Sequence, residues 1–221
     1  MAEVRNYRVT LTGISPLLMH ADNIEWRDQV TNWRNDPLHK KKGTAGDDRS
    51  PAWSWVGYVY HDGQNIGLPS DNLMTCIRDG ASMVVVKGNK TFKSQSQSGI
   101  LVNEILWPIE VDGIPVSWEP TAALVGEEDF EEHKKIVSSC RYELSVKPAK
   151  VGTSKHIRVR PRFNKWQAAG TISVFDDMIT PKVLDQILFM AGNYCGICDW
   201  RPKGRSPGQF GRFEAKVERI K

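Results

Sequence analysis

Twice along its length this sequence runs from an alternating strand into a capped amphipathic helix and back into a strand, and that order restricts the folds open to it. In the second half, Thr180 is an N-cap followed by Pro181 at the first helical position, where a missing N–H costs nothing. Val183, Leu184, Ile187, Leu188 and Ala191 form one apolar stripe at helical spacing, and Gly192 suits the position just past the helix. Strands are expected on either side, over 166–175 and over the alternating stretch 210–220. In the first half, residues 6–13 place Tyr7, Val9 and Leu11 on one face and Arg8, Thr10 and Thr12 on the other. Pro69 ends an extended run, Ser70 serves as N-cap, and Asp71 suits the positive end of the helix dipole. Leu73, Met74, Ile77 and Ala81 then give a helical stripe, and 105–118 reads as a hairpin about Asp112-Gly113. The order predicts an α+β protein with a ferredoxin-like (RRM-like) β-α-β-β-α-β core, long inserted loops and extra hairpins.

At 221 residues, with 40% apolar and 25% charged side chains, the chain suits one domain over 1–221 that buries a real core. Insertions are expected at about 20–51 and 87–155. In the first, Trp26, Val30 and Trp33 fall at helical spacing and the remainder, including Lys40, Lys41 and Lys42, reads as loop. Residues 53–60 look like a strand turned back at 61–64. Residues 87–99 are polar, acid-free and flexible in composition, and 127–139 predicts an acid-rich helix with a solvated outer face.

Charge is more informative by position than by its net value of +4. From Lys147 to Lys165 there are seven Lys or Arg (Lys147, Lys150, Lys155, Arg158, Arg160, Arg162 and Lys165) and no acid. On a strand, His156, Arg158, Arg160 and Arg162 share one face while Ile157, Val159 and Phe163 share the other. Such a row steps at about 6–7 Å, comparable to the phosphate spacing of an extended strand. A second basic stretch, the glycine-rich loop between Gly192 and Gly211, carries Arg201, Lys203 and Arg205, with Arg212 just beyond it. Glycine lets backbone approach a charged, extended ligand closely. Trp26, Trp33, Trp53 and Trp55 flank the Lys40–Lys42 run, either as stacking partners for unpaired bases or as core.

Two stretches together resemble the RAMP superfamily of CRISPR-associated proteins. Ile66-Gly67-Leu68-Pro69-Ser70-Asp71-Asn72-Leu73, followed by Arg78, is similar to that family's short motif opening a helix that carries an arginine. Gly196 through Gly211-Arg212-Phe213 looks like its glycine-rich loop before the last strand. The sequence departs from the family at Asp71 and Asn72, where small glycines are usual, and at Cys195 to Trp200. The nearest likeness is to the backbone subunit that polymerises along guide RNA. The resemblance implies single-stranded RNA or DNA as ligand, self-association or a multisubunit nucleoprotein complex, and a role in CRISPR defence or in a divergent, for instance viral, relative.

Other chemistries have less behind them. Repeat-processing nucleases of that superfamily use a general-base histidine, and His20 stands directly after the first strand segment; Asp22 or Asp47 would imitate the loop aspartate of other members. No second acid–base partner stands at fixed spacing, and there is no Walker A loop, GxSxG, HExxH or dinucleotide fingerprint, so a non-enzymatic binder is expected. A protein-interaction or inhibitor module with a basic face is the remaining class. Cys195 and Cys198 are too few for a structural zinc site and follow a helix rather than open one, so neither metal nor cofactor is expected. With Cys76 and Cys140 they are expected as free thiols in a reducing cytoplasm. The N-terminus lacks a secretory h-region, and no apolar run approaches a membrane span, so no membrane association is expected.

Overall fold

The computed structural model describes residues 3–39 and 46–220; Lys40, Lys41 and Lys42 lie outside the described residues. In chain order it carries β1 (Arg5–Gly13), β2 (Leu17–Leu18), α1 (Ile24–Asn35), a 3-10 helix (Ala52–Tyr58), β3 (Gly67–Pro69) and α2 (Ser70–Ala81). There follow β4 (Val85–Lys87), β5 (Lys90–Thr91), α3 (Lys93–Gly99), β6 (Ile100–Val102), β7 (Leu106–Val111), β8 (Ile114–Pro115), α4 (Glu119–Ala122) and α5 (Phe130–Ser139). The chain ends with β9 (Glu143–Val151), β10 (Ser154–Phe163), β11 (Gln167–Val174), α6 (Pro181–Met190), a π-helical turn (Ala191–Cys195) and β12 (Phe213–Ile220). It is a mixed α+β protein whose named sheet pairs are antiparallel. Two compact units divide it: Met1–Leu18 with Gly67–Pro115 and Asn164–Lys221, and Met19–Ile66 with Val116–Phe163.

In the first unit the strands run in the order β12-β1-β11-β7-β3, with β6 also on β11 and β8 closing a hairpin on β7. The alternation of β1 decides which face is dry: Tyr7, Val9 and Leu11 are buried, as the sequence predicts. Their register neighbours are Ile172, Gly170 and Ala168 on β11 and Arg219, Val217 and Ala215 on β12. The stripes of α2 and α6 close this face. Leu73, Cys76 and Ile77 of α2, Leu188 of α6, and Val9, Leu11, Trp107, Ile172 and Phe213 of the sheet surround one void of about 10 Å³, too small for a water.

Local signals explain most boundaries here. The Thr180 hydroxyl accepts from the Val183 N–H at 3.3 Å, a cap worth about 1 kcal/mol, with Pro181 at the first position. Asp112 and Gly113, both at positive φ, make the β7–β8 turn. Three details differ from expectation. Ser70 is the first helical residue after Pro69 and makes no cap hydrogen bond, its N–H instead bonding the Ile105 carbonyl. Gly192 does not end α6: the helix continues into the π turn, which stops at Gly196 with φ of 69°. Residues 87–99, expected as flexible, form β4 in part, β5 and α3, because Phe92, Ser96 and Gly99 are buried and anchor them.

In the second unit the helical spacing of Trp26, Val30 and Trp33 is realised in α1, capped by the Asn23 side chain. Residues 53–60, expected as a strand, instead form the 3-10 helix. A short apolar run does not distinguish strand from buried helix. Here every residue from Ala52 to Val56 is buried, which an alternating strand with one wet face does not require. The Ser54 hydroxyl donates to the Asp48 carbonyl, and Trp26 Nε1 donates to the Ser54 carbonyl at 2.9 Å. The acid-rich helix is α5. Glu131 and Glu132 face solvent, whereas His133 and Val137 are buried, so only its outer side is solvated.

Candidate nucleic-acid interface

The basic row lies on a β-hairpin of the second unit. Gly152, at φ of 61°, and Thr153 form the two-residue turn between β9 and β10, and the register runs from Ser154↔Val151 to Arg162↔Glu143. Residues 144–163 contain no acid. One face packs through Val159, Pro161 and Phe163, while His156, Arg158, Arg160 and Arg162 line the other, half-buried, as their alternation requires. The register sets Arg158 opposite Lys147, and Lys155 opposite Lys150, with both members of the latter pair exposed near the tip.

The expectation that these arginines lack acidic partners is corrected by a residue from a distant loop. Gly46 and Asp48 lie along the edge of β10 away from β9: Ile157 N–H donates to the Gly46 carbonyl at 2.8 Å, and Asp48 N–H to the Ile157 carbonyl at 3.0 Å. This turns the carboxylate of Asp48, 3% exposed, into the arginine face. It accepts from Arg158 Nη1 and Arg160 Nη1, each at 3.1 Å, and from the Val159 N–H at 3.2 Å. Arg162 pairs with Glu143 at 3.2 Å. One carboxylate therefore serves two guanidiniums. Nothing in the spacing of Asp48 marks it; the only sequence signal is an acid in a loop rich in glycine and aspartate.

Tyr58, at the end of the 3-10 helix, completes the cluster. The Arg160 guanidinium lies 4.8 Å from its ring centre and the His20 ring meets it edge-on at 4.7 Å. Burial, then the charge of Asp48, pushes the Tyr58 phenol up, so it stays protonated at neutral pH. His20 is exposed. Asp22 is paired with Arg27 at 3.1 Å and Asp47 with Arg49 at 2.7 Å. The hydrogen bond from Arg49 is the main reason the Asp47 carboxyl is lowered, which leaves it poorly suited as a proton acceptor.

Trp53 and Trp55 are 6% and 0% exposed, so base stacking on these two is corrected to a core role. Trp26 and Trp33 are half-buried, Trp26 packing edge-on to Trp53 at 5.4 Å and Trp33 stacking on His39 at 4.4 Å.

The C-terminal loop belongs to the first unit, as does the exposed Lys165. Arg201 and Lys203 converge on Asp79 of α2 at 3.5 and 3.7 Å, and Lys203 Nζ also donates to Ser82 Oγ at 2.8 Å. The Arg212 guanidinium donates to the Asn193 carbonyl. These three cations fasten the loop to its own unit, and Arg205 alone of the four is exposed without an ion pair among the described residues. All four cysteines are free. Burial pushes the Cys198 thiol up to about 12, and Cys195 and Cys76 upward as well, so these three are not poised thiolates. Among the described residues no group of three His, Cys, Asp or Glu side chains is arranged to hold a metal.

No protein-family model matches this chain, and no curated protein matches it.

No helix among the described residues is long and apolar enough to cross a membrane.

Proposed function

We propose that this protein binds single-stranded nucleic acid, RNA or DNA, without sequence preference, through the basic face and tip of the β9–β10 hairpin. The observation that carries this reading is the hairpin's uncompensated charge. Two exposed lysines, Lys150 and Lys155, stand directly opposite each other at the tip of an acid-free segment. Like charges directly opposite on antiparallel strands are destabilising. A phosphate backbone relieves that repulsion and releases its own counterions, which is the main source of sequence-independent affinity. Contacts of this kind grip phosphates and read neither base nor 2′-OH.

The first unit is read as a ferredoxin-like, split βαβ core of RAMP type, with the whole chain as one such domain and the second unit as its insertion. What supports this is the order β12-β1-β11-β7, with α2 following β1 and α6 following β11. The loop carrying Arg201, Lys203, Arg205 and Arg212 is a secondary contact in this reading, and the protein acts as a non-enzymatic subunit of a nucleoprotein assembly in the cytoplasm.

One observation favours a second reading, metal-independent RNA cleavage. The exposed His20 ring and the Arg160 guanidinium approach the same Tyr58 ring, setting a general base near a cation. Incubating labelled RNA in EDTA with the protein and with His20→Ala separates the readings: cleavage lost in the variant supports the nuclease, and intact RNA removes it. The leading reading is tested by the nucleic acid that co-purifies with the protein and by gel shift of a labelled single-stranded oligonucleotide. Bound material removed by RNase or DNase, together with a shift at low salt, is expected. Nuclease-free protein that fails to shift the oligonucleotide at low salt overturns it and points to an acidic protein partner.

A further inference from the structure

β12 is the end strand of the first unit's sheet, paired on one side with β1. Its other edge runs beside a groove of about 810 Å³ whose walls include Met83, Val85, Asp185, Phe189, Met190 and Val217. Phe189, Met83 and Val85 are 56%, 42% and 61% exposed, an apolar surface larger than scattered single residues account for. An eight-residue edge with open N–H and C=O groups is a template for another strand.

The charges of β12 select the partner and the register. Glu214, Lys216 and Glu218 share its outer face and all three are exposed. In antiparallel pairing with a second β12, two registers keep seven of the eight residues paired. The one centred on Lys216 sets Lys216 on Lys216 and Glu214 on Glu218. The one centred on Val217 sets Lys216 opposite Glu218 twice, and opposite charges across a strand pair stabilise it while like charges do the reverse. The same register puts Val217 against Val217 and brings Arg219 of the second copy opposite Ala215, on the side of the groove that carries Asp185.

We infer that the protein forms a two-fold dimer in which β12 pairs antiparallel with β12 of a second copy about Val217, extending the sheet across the interface and covering the groove. This goes beyond nucleic-acid binding, which uses the other unit, and stands or falls separately from it.

The test is the mass of nuclease-treated protein by light scattering at about 100 µM protomer. A dimer is expected. Lys216→Glu should halve the mass, and Lys216→Glu with Glu218→Lys should restore it, because the exchanged pair is again complementary. As a second measurement independent of stability, Val217→Cys should cross-link two chains on oxidation, since directly opposed strand residues lie within disulfide reach, whereas Ile220→Cys should not. Monomeric wild type, a dimer indifferent to Lys216→Glu, a double variant that stays monomeric, or no cross-link through Val217→Cys would each overturn the proposal.

Discussion

Asp48 Oδ2 lies 3.1 Å from Arg160 Nη1, although 112 residues separate them in the chain. That contact turns a row of repelling guanidiniums into a fixed surface. Asp48 is the counter-charge for both Arg158 and Arg160, and it also holds the strand through the Val159 N–H. Replacing it with Asn keeps the shape and removes the charge. The expected loss is roughly 2–4 kcal/mol, because charge-assisted bonds in a largely buried site are broken and two cations are left together. Urea unfolding of Asp48→Asn measures it, and a loss under about 1 kcal/mol contradicts the assignment.

His133 is fully buried, and its protonation state follows from its partners. Trp55 Nε1 can only donate, and it meets His133 Nδ1 at 3.0 Å, so Nδ1 is bare and Nε2–H donates to the Glu127 carbonyl at 3.0 Å. Burial lowers this imidazole's pKa despite the opposing pull of Glu127. With the folded value below the unfolded one of about 6.5, the unfolded chain takes up the proton first on acidification. Stability from this group is therefore complete above about pH 6.5 and declines below it. The measurement is stability against pH from 7.5 to 5: wild type should lose stability over that range, and His133→Gln, weaker throughout by about 1–3 kcal/mol, should show a smaller slope.

Glu104 ties the start of β7 to β11. Its carboxylate accepts from the Thr171 N–H at 2.8 Å, the Thr171 hydroxyl at 2.8 Å and Trp107 Nε1 at 2.9 Å. Burial alone would raise this carboxyl; the hydrogen bonds outweigh burial and hold it below the ordinary value. The sign is that of a depressed acid: its stabilisation is present above about pH 4.3 and is lost as pH falls through the lowered folded value. Glu104→Gln should cost about 1–3 kcal/mol at pH 7 and remove this part of the acid sensitivity, as read by thermal melts at pH 7 and pH 3.5.

Gly192 sits where the π turn presses on β12. A Cβ there would lie 2.0 Å from the Phe213 carbonyl oxygen, a backbone atom that cannot step aside alone. Gly192→Ala should cost about 3 kcal/mol or more, or yield insoluble protein. A melting temperature within a few degrees of wild type contradicts the packing described.

The periodic parts of the fold were legible in the sequence. Tyr7, Val9 and Leu11, the stripe from Leu73 to Ala81, and the Thr180-Pro181 start each announce themselves through spacing of 2.0 or 3.6 residues or through capping chemistry. The 3-10 helix over Ala52–Tyr58 was not, because a short run buried on every side has no periodicity to read. Nor was the role of Asp48, Asp79 and Glu143. The acid-free stretch looked unpaired in one dimension, and the partners arrive from a loop, a helix and a neighbouring strand. Tertiary structure thus neutralised part of the basic signal at Arg158, Arg160, Arg201 and Lys203, and left the hairpin tip as its clearest remainder.

Lys150 and Lys155 are therefore the residues on which the account turns, since both are exposed and neither has an ion-pair partner among the described residues. The decisive measurement is fluorescence anisotropy of a labelled single-stranded oligonucleotide across a salt series, for wild type and for Lys150→Ala/Lys155→Ala. Binding should weaken steeply with salt in the wild type. The variant should bind more weakly, with the slope of log K against log salt shallower by about 1.4, the value for two lost phosphate contacts on a single strand. An unchanged affinity and slope in a folded variant, or no binding by the wild type at low salt, would contradict it.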